Sequence, residues 1–300
     1  MPLRAAAQVR TAALTAALAA VLTGPGPVAA AEGQPPEPLV QTLERVGRRL
    51  EQWYSRAQTV VSRESVSIQR LGPNLSPEGF ARRLDFDLRV SWDPDRGTPS
   101  GLPDATVLRE VVRVNGRPAP VEGANDSGCM DPKPVSPEPL AMLLPARLDE
   151  TEFSLAGTGR VDGRAAVMID YRGRKDKPAG IDWTNECVTV SLPGRSQGRV
   201  WIDAETYDVL RLDDRLAGWF EFNVPWEYVR RGAAPSMIIE RAETSIRYRP
   251  VAFQEPSEML VLPVSIETLT IIRGTGIQRV RISQRFTEHR RFLTGGRLID

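Results

Sequence analysis

Five acidic side chains fall within one short stretch, residues 198–214, and such a cluster can do chemistry. The stretch reads GRVWIDAETYDVLRLDD, and its acids are Asp203, Glu205, Asp208, Asp213 and Asp214. Two carboxylates act as general acid and base when burial or crowding raises the pKa of one, and carboxylate oxygens also bind calcium. The stretch therefore has three interpretations: a hydrolase site, a calcium site, or the acidic turn of a β-hairpin.

The residues that flank the acids favour the hairpin. Val200 and Ile202 share one face of an incoming strand, because side chains alternate between the faces of a strand. Leu210 and Leu212 share one face of the outgoing strand in the same way. Between the two strands, Asp and Thr side chains favour a turn by bonding nearby backbone N–H groups. We predict a hairpin whose turn, residues 203–208, carries solvated acids.

Other catalytic motifs in the chain are weak. The single histidine, His289, excludes metal sites built on several histidines, and we predict that it is an exposed strand residue. Ser196 stands in a G-x-S-x-G pattern, but a strand follows it where a nucleophile elbow needs a helix. We therefore interpret Ser196 as a turn serine. The sequence predicts no catalytic residue, no metal site and no cofactor.

The first thirty residues have the organisation of a secretory signal peptide. A positive start and an apolar run, residues 11–22, precede small residues that end near Ala31. The alternative is an N-terminal membrane anchor, but a spanning helix needs about 20 apolar residues. We predict a signal peptide over residues 1–31, a single domain over residues 32–300, and a periplasmic or secreted location.

Charge and cysteine content bear on what the protein binds and on where it is located. The 39 Lys and Arg residues balance the 38 Asp and Glu residues, whereas nucleic-acid-binding proteins carry a clustered basic excess. After the signal peptide, the sequence predicts no transmembrane segment. Two cysteines, Cys129 and Cys187, predict a disulfide, because paired cysteines are favoured outside the cytoplasm. The alternative is a pair of buried thiols.

Apolar spacing predicts one long helix and about ten strands. Apolar residues three and four apart predict an amphipathic helix over residues 38–57, and residues 136–145 predict a short helix that Pro145 ends. The pairs Asn115-Gly116 and Asp162-Gly163 predict tight hairpin turns. The crossover helices of a parallel sheet are missing. The fold class is therefore α+β, mainly β: a curved antiparallel sheet, or unclosed β-barrel, with both helices on its concave face.

Aromatic residues concentrate in one segment, residues 216–232. They are Trp219, Phe220, Phe222, Trp226 and Tyr228. One interpretation is an edge strand and loop whose rings cover the core, since aromatic side chains dominate cores. The other is a binding surface, either a lip over an apolar cavity or a patch for a membrane or partner. We predict that these five residues bind the ligand.

The order of these elements resembles the periplasmic lipoprotein-carrier superfamily (LolA/LolB/RseB-like), which includes outer-membrane lipoprotein-sorting proteins. The resemblance spans residues 39–292 in pattern and is specific at Trp201, Ile202, Asp203 and Thr206, within G-x-V-W-I-D-x-x-T. It also extends to uncharacterised exported bacterial proteins that end in a phrase like RFTEHRRFLTGGRL. The resemblance implies an unclosed barrel with helices as a lid over an apolar cavity for acyl chains.

Three functions remain open at this point. The first is a non-enzymatic binding or carrier protein of the envelope for an apolar ligand, such as a lipid, an acyl chain or a lipoprotein. The second is an envelope protein-interaction or sensing module of the same fold, with an envelope protein as partner. The third is a hydrolase that uses the acidic hairpin Asp203–Asp214.

Overall fold

The computed structural model describes residues 38–57, 60–97, 103–119, 138–184, 187–254 and 257–291. The predicted signal peptide over residues 1–31 and the predicted disulfide partner Cys129 lie outside these ranges, so both stay predictions. The single domain over residues 32–300 also stays a prediction. None of the helices in the described ranges is long and apolar enough to cross a membrane.

Strands dominate the described chain. The α-helices are α1 (Leu39–Arg56), α2 (Glu138–Ala141) and α3 (Trp226–Val229), and 3₁₀ helices span Pro145–Glu150 and Pro193–Arg195. The strands are β1 (Val60–Arg70), β2 (Arg82–Gly97), β3 (Pro103–Val114), β4 (Arg117–Pro118), β5 (Thr151–Val161), β6 (Arg164–Gly173), β7 (Gly180–Thr184), β8 (Cys187–Ser191), β9 (Ser196–Asp203), β10 (Val209–Leu216), β11 (Phe220–Asn223), β12 (Ser236–Phe253), β13 (Glu258–Arg273) and β14 (Ile277–Arg291).

Twelve of these strands form one antiparallel sheet. Its order is β4-β3-β2-β1-β14-β13-β12-β10-β9-β6-β5, and β11 pairs with β12 beside this path. Strands β7 and β8 form a separate two-stranded sheet. The large sheet stays open, with β4 and β5 at the two ends of its order. The predicted fold class, a curved open antiparallel sheet with few helices, is confirmed.

One face of the sheet is apolar because side chains alternate along each strand. In β2, Leu84, Phe86 and Leu88 are buried, as the period-two pattern predicts. The same face continues across the sheet through the cross-strand neighbours Ile169, Val200, Leu212, Ile246 and Ile266. We call this the inner face, and the opposite one the outer face.

Helix α1 packs on the inner face. Its buried apolar side chains are Leu43, Val46, Leu50 and Tyr54, which share one core cluster with the five inner-face residues named above. Their spacing of three and four places them on one side of the helix, which confirms the predicted amphipathic helix. The indole Nε1 of Trp53 also donates a 2.7 Å hydrogen bond to the carbonyl of Val261.

The short helix predicted over residues 136–145 is observed only in part. Helix α2 has four residues, and Pro145, predicted to end it, begins a 3₁₀ helix instead. The reason is that the fixed φ of proline suits the first position of a helical turn. Pro145 also lies against α1, where a Cβ on Gly47 would stand 2.9 Å from the Cδ of Pro145. Glycine at this position lets the two helices approach.

A buried ion pair interrupts the apolar inner face. Glu64 of β1 is fully buried, and its two carboxylate oxygens accept hydrogen bonds from Arg109 of β3 at 2.9 and 2.8 Å. The side-chain amide of Gln284 donates a third bond at 2.8 Å. The guanidinium of Arg109 lies 3.7 Å from the ring centroid of Phe86. Burial raises the pKa of Glu64, although Arg109 and Gln284 act to lower it.

Candidate functional site

The acidic hairpin is confirmed, since β9 and β10 pair on either side of the turn at residues 203–208. The Oδ1 atom of Asp203 accepts hydrogen bonds from the backbone N–H of Glu205 at 3.0 Å and of Thr206 at 2.8 Å. Its Oδ2 atom lies 2.8 Å from the Nε of Arg164. Asp203 thus organises the turn, as the sequence predicts.

The prediction that the turn acids are solvated is wrong for two of them. Asp203 is 3% exposed and Asp208 is 8% exposed. Arg49 of α1 donates to both carboxylate oxygens of Asp208, at 2.7 and 3.2 Å. Arg45, one turn earlier, donates a 2.6 Å hydrogen bond to the hydroxyl of Tyr207. Helix α1 is therefore fixed to the hairpin tip, where it contacts Asp208 and Tyr207.

Their contacts give the buried acids a structural role. Burial acts to raise the pKa of Asp203, but the backbone N–H groups of Thr206 and Glu205, together with Arg164, hold it below its usual value. A catalytic acid needs a raised pKa, and a carboxylate with a lowered pKa is a weak base. Asp203 is therefore a poor candidate for acid–base catalysis.

Replacing Asp203 with asparagine is expected to cost about 1–2 kcal/mol of unfolding free energy near pH 7, because the Arg164 pair is lost. The folded-state pKa of Asp203 is lowered, so its contribution is present above the usual Asp pKa and disappears as the pH falls through the folded-state pKa. Urea denaturation of Asp203→Asn and the wild type should therefore converge in acid. Glu205→Gln, an exposed carboxylate in the same turn, is the control.

The remaining candidates for chemistry have ordinary surroundings. Ser196 follows the 3₁₀ turn and begins β9, where its hydroxyl donates to Asp214. The hydroxyl of Tyr171 donates to the same carboxylate at 2.7 Å. His289 lies on β14 and is half-buried rather than exposed. Burial lowers its pKa, although a hydrogen bond to the backbone of Pro263 opposes this.

Within the described ranges, no group of three or more His, Cys, Asp or Glu side chains could hold a metal ion.

The five aromatic residues predicted to bind ligand divide into two sets. Phe222 is buried, and Phe220 and Tyr228 are half-buried. Trp219 and Trp226, in contrast, are 60% and 69% exposed. The residues of the first set lie on β11 and α3 and are at least half-buried, whereas the second set projects into solvent.

A sixth aromatic residue, Trp183 of β7, joins this cluster and was missed in the sequence. Its ring stacks on Tyr228 with centroids 4.9 Å apart and lies 6.4 Å from the ring of Phe222. The rings of Phe220 and Phe222 are 6.1 Å apart. The aromatic surface comprises Trp183, Trp219, Phe220, Phe222, Trp226 and Tyr228. No local pattern marks Trp183, because its partners lie forty residues further along the chain.

A basic side chain lies at the edge of the aromatic surface. The guanidinium of Arg195 is 5.5 Å from the ring centroid of Phe220, and it donates a 3.3 Å hydrogen bond to the carbonyl of Trp219. These residues and Glu221 line a pocket of about 530 Å³. Apolar rings beside a charged group can hold a molecule with an apolar body and a polar end.

No family model and no curated protein matches the sequence. Among solved structures, the chain is similar to a DUF1329 family protein from Desulfovibrio piger, with 11% identity, a TM-score of 0.41, and coverage of 87% of this chain and 96% of that chain. It is also similar to a LolA superfamily protein from Nitrosomonas europaea, with 8% identity, a TM-score of 0.30, and coverage of 84% and 94%.

A third similar structure is the MucA/MucB complex of Pseudomonas aeruginosa, with 12% identity and a TM-score of 0.23. The match covers 81% of this chain and 94% of that chain. The LolA/LolB/RseB-like superfamily is the group that the sequence pattern resembles. Each TM-score lies below 0.5, and the function proposed below rests on the residues of this chain.

Proposed function

We propose that this chain is a non-enzymatic binding or carrier protein of the bacterial cell envelope, and that it takes a lipid or an acyl chain at the aromatic surface. The exposure of Trp219 and Trp226 carries the proposal. Both residues lie beside members of the ring cluster in sequence: Trp219 precedes Phe220, and Trp226 shares a short helix with Tyr228. Large apolar side chains exposed to water beside a cluster of packed rings are favourable sites for a ligand that covers them.

The chemistry of this surface fits an amphiphile. Burial of each indole removes apolar area from water, which favours binding by roughly 25 cal/mol per Å². Indole rings also favour the boundary between apolar and polar material, because the ring is apolar and its N–H is polar. Arg195 offers a positive charge at the edge of the rings, where the polar end of a lipid would lie.

Binding of a fluorescent fatty acid tests the proposal. The double variant Trp219→Ala/Trp226→Ala should bind dansylated undecanoic acid at least about tenfold more weakly than the wild type, since aromatic anchors dominate binding energy. Met259→Ala is the matched control, because Met259 is 60% exposed but lies on β13 outside the aromatic surface. Absence of binding to the wild type, or equal binding by the double variant, would contradict the proposal.

The second candidate is an interaction module for an envelope protein. Trp, Tyr and Arg are the residue types enriched at protein–protein hot spots, and Trp226 lies one turn before Arg230 at the end of α3. In-cell crosslinking separates the two candidates. A crosslink to one identified envelope protein that Trp219→Ala/Trp226→Ala loses, without lipid binding by the wild type, would favour the interaction module.

A further inference from the structure

A wide groove crosses the outer face of the sheet, on the side opposite α1. Its volume is about 1110 Å³. A cross-strand row runs through it from Asp170 to Arg199, Asp213, Ser245 and Glu267, on strands β6, β9, β10, β12 and β13. Each member of this row follows or precedes a buried inner-face residue, so its side chain lies on the outer face. The aromatic surface shares no residue with this groove.

Paired charged side chains line the groove. The guanidinium of Arg199 donates to both oxygens of Asp170, at 2.6 and 3.0 Å. Arg241 donates to both oxygens of Glu243 in the same way, at 2.7 and 2.8 Å. Bidentate contacts of this kind fix the relative orientation of the guanidinium and carboxylate planes. The donors and acceptors that face the groove are therefore held in place before any ligand arrives.

The groove is also lined by one serine of the row and by a single indole. The hydroxyl of Ser245 donates a 2.6 Å hydrogen bond to Asp213. Arg211 pairs with the same carboxylate at 2.7 Å and lies 4.7 Å from the ring centroid of Trp201. Trp201 is half-buried on the outer face, so the lining of the groove includes an apolar ring.

The charges of the groove exclude several ligand classes. Its lining holds six arginines and six carboxylates, so it attracts neither a polyanion nor a polycation. Its strands β6, β9, β10, β12 and β13 each have a partner on both sides, and their backbone groups are used within the sheet. An extended peptide that binds by adding a strand needs an open edge, which this groove does not offer.

We propose that the outer-face groove binds a neutral oligosaccharide. Sugar hydroxyls both donate and accept, so one chain can bond to the three carboxylates, the guanidinium and the hydroxyl of the row. The row repeats these groups at the strand spacing of about 4.8 Å, which suits an extended chain laid across the strands. Trp201 supplies an apolar surface for the C–H face of a sugar ring. This site is independent of the proposed lipid function.

Binding to a set of immobilised sugars tests this site. The wild type should bind at least one of maltohexaose, cellohexaose and chitohexaose more strongly than heparin or a mixed-charge peptide. The variant Asp170→Ala/Arg199→Ala should bind roughly tenfold more weakly, because two charged partners of the hydroxyls are lost. The matched control is Arg63→Ala/Asp87→Ala, which removes a cross-strand ion pair of β1 and β2 outside the groove.

A second variant distinguishes a loss of sugar binding from a loss of folding. Ser245→Trp places a bulky side chain in the groove without removing a charge. Its circular dichroism should match that of the wild type, whereas its sugar binding should be lost. The proposal is overturned if the wild type binds none of the three sugars, or if heparin or the peptide binds more tightly. It is also overturned if both groove variants bind sugar as the wild type does, or if the control loses binding equally.

Discussion

Replacing Arg109 with leucine is expected to lower the free energy of unfolding by about 3–5 kcal/mol near pH 7, because Glu64 is then left as a buried charge with no cation beside it. Glu64 is fully buried on the inner face, and its other observed partner is the neutral amide of Gln284. The loss should be measured by urea denaturation. A cost below about 1 kcal/mol would show that Glu64 is already protonated or hydrated in the wild type.

The pH dependence of this loss has a defined sign. Arg109 acts to lower the pKa of Glu64, so its removal raises that pKa further above the usual Glu value. A raised folded-state pKa means that the folded protein holds the proton more tightly than the unfolded chain does. The loss of stability in Arg109→Leu should therefore be full above the folded-state pKa of Glu64 in the variant. It should shrink as the pH falls from there toward the lower folded-state pKa of Glu64 in the wild type.

A paired substitution separates charge from packing. Glu64→Gln/Arg109→Leu removes both charges and keeps an oxygen that can accept the hydrogen bond of Gln284. Replacing both partners of a buried ion pair is often close to neutral, whereas breaking the pair is not. The double variant should therefore be more stable than Arg109→Leu, although it carries one more substitution. Equal instability of the two would assign the loss to the packing of Arg109 on Phe86.

Gly198→Ala is expected to cost about 3 kcal/mol or more of unfolding free energy, because a methyl group must be forced into a filled site. A Cβ at this position would lie 1.9 Å from the carbonyl oxygen of Asp213 and 2.9 Å from the hydroxyl of Tyr171. The neighbouring strand would have to move, and with it the hydrogen bond from Tyr171 to Asp214. Thermal unfolding monitored by circular dichroism measures the loss.

Gly276→Ala is the matched control for this substitution. Gly276 lies in the turn before β14, and a Cβ there would meet no atom within 4 Å. Its melting temperature should equal that of the wild type within error. A similar loss in both variants would point to a general effect of removing glycine rather than to the contact at Gly198.

The elements of this fold were predictable where their causes are local. The turn at Asn115 and Gly116 has φ values of 50° and 80°, which favour these two residue types. Strand β2 and helix α1 each turn one apolar face to the core. This gives the alternation of residues in β2 and the three- and four-residue spacing in α1. In the same way, Asp203 forms its turn with residues two and three positions away.

The candidate sites depend on contacts that no local pattern shows. The burial of Asp208 results from Arg49, which lies 159 residues earlier in the sequence. The aromatic surface could be placed from the segment 216–232, but Trp183 comes from another strand. The outer-face groove is lined mainly by charged and polar residues that alternate with buried ones, and this pattern alone predicts an ordinary solvated face.

The position of β14 has a consequence for how the protein folds. This strand lies between β1 and β13, so it joins the meander β1–β4 to the remainder of the sheet. Its pairing with β1 links residues more than two hundred positions apart, such as Val60 and Arg291. Contacts of such long range slow folding, because the loop entropy must be lost before the pairing stabilises the sheet. We expect the two halves to form separately and to merge only when β14 enters between them.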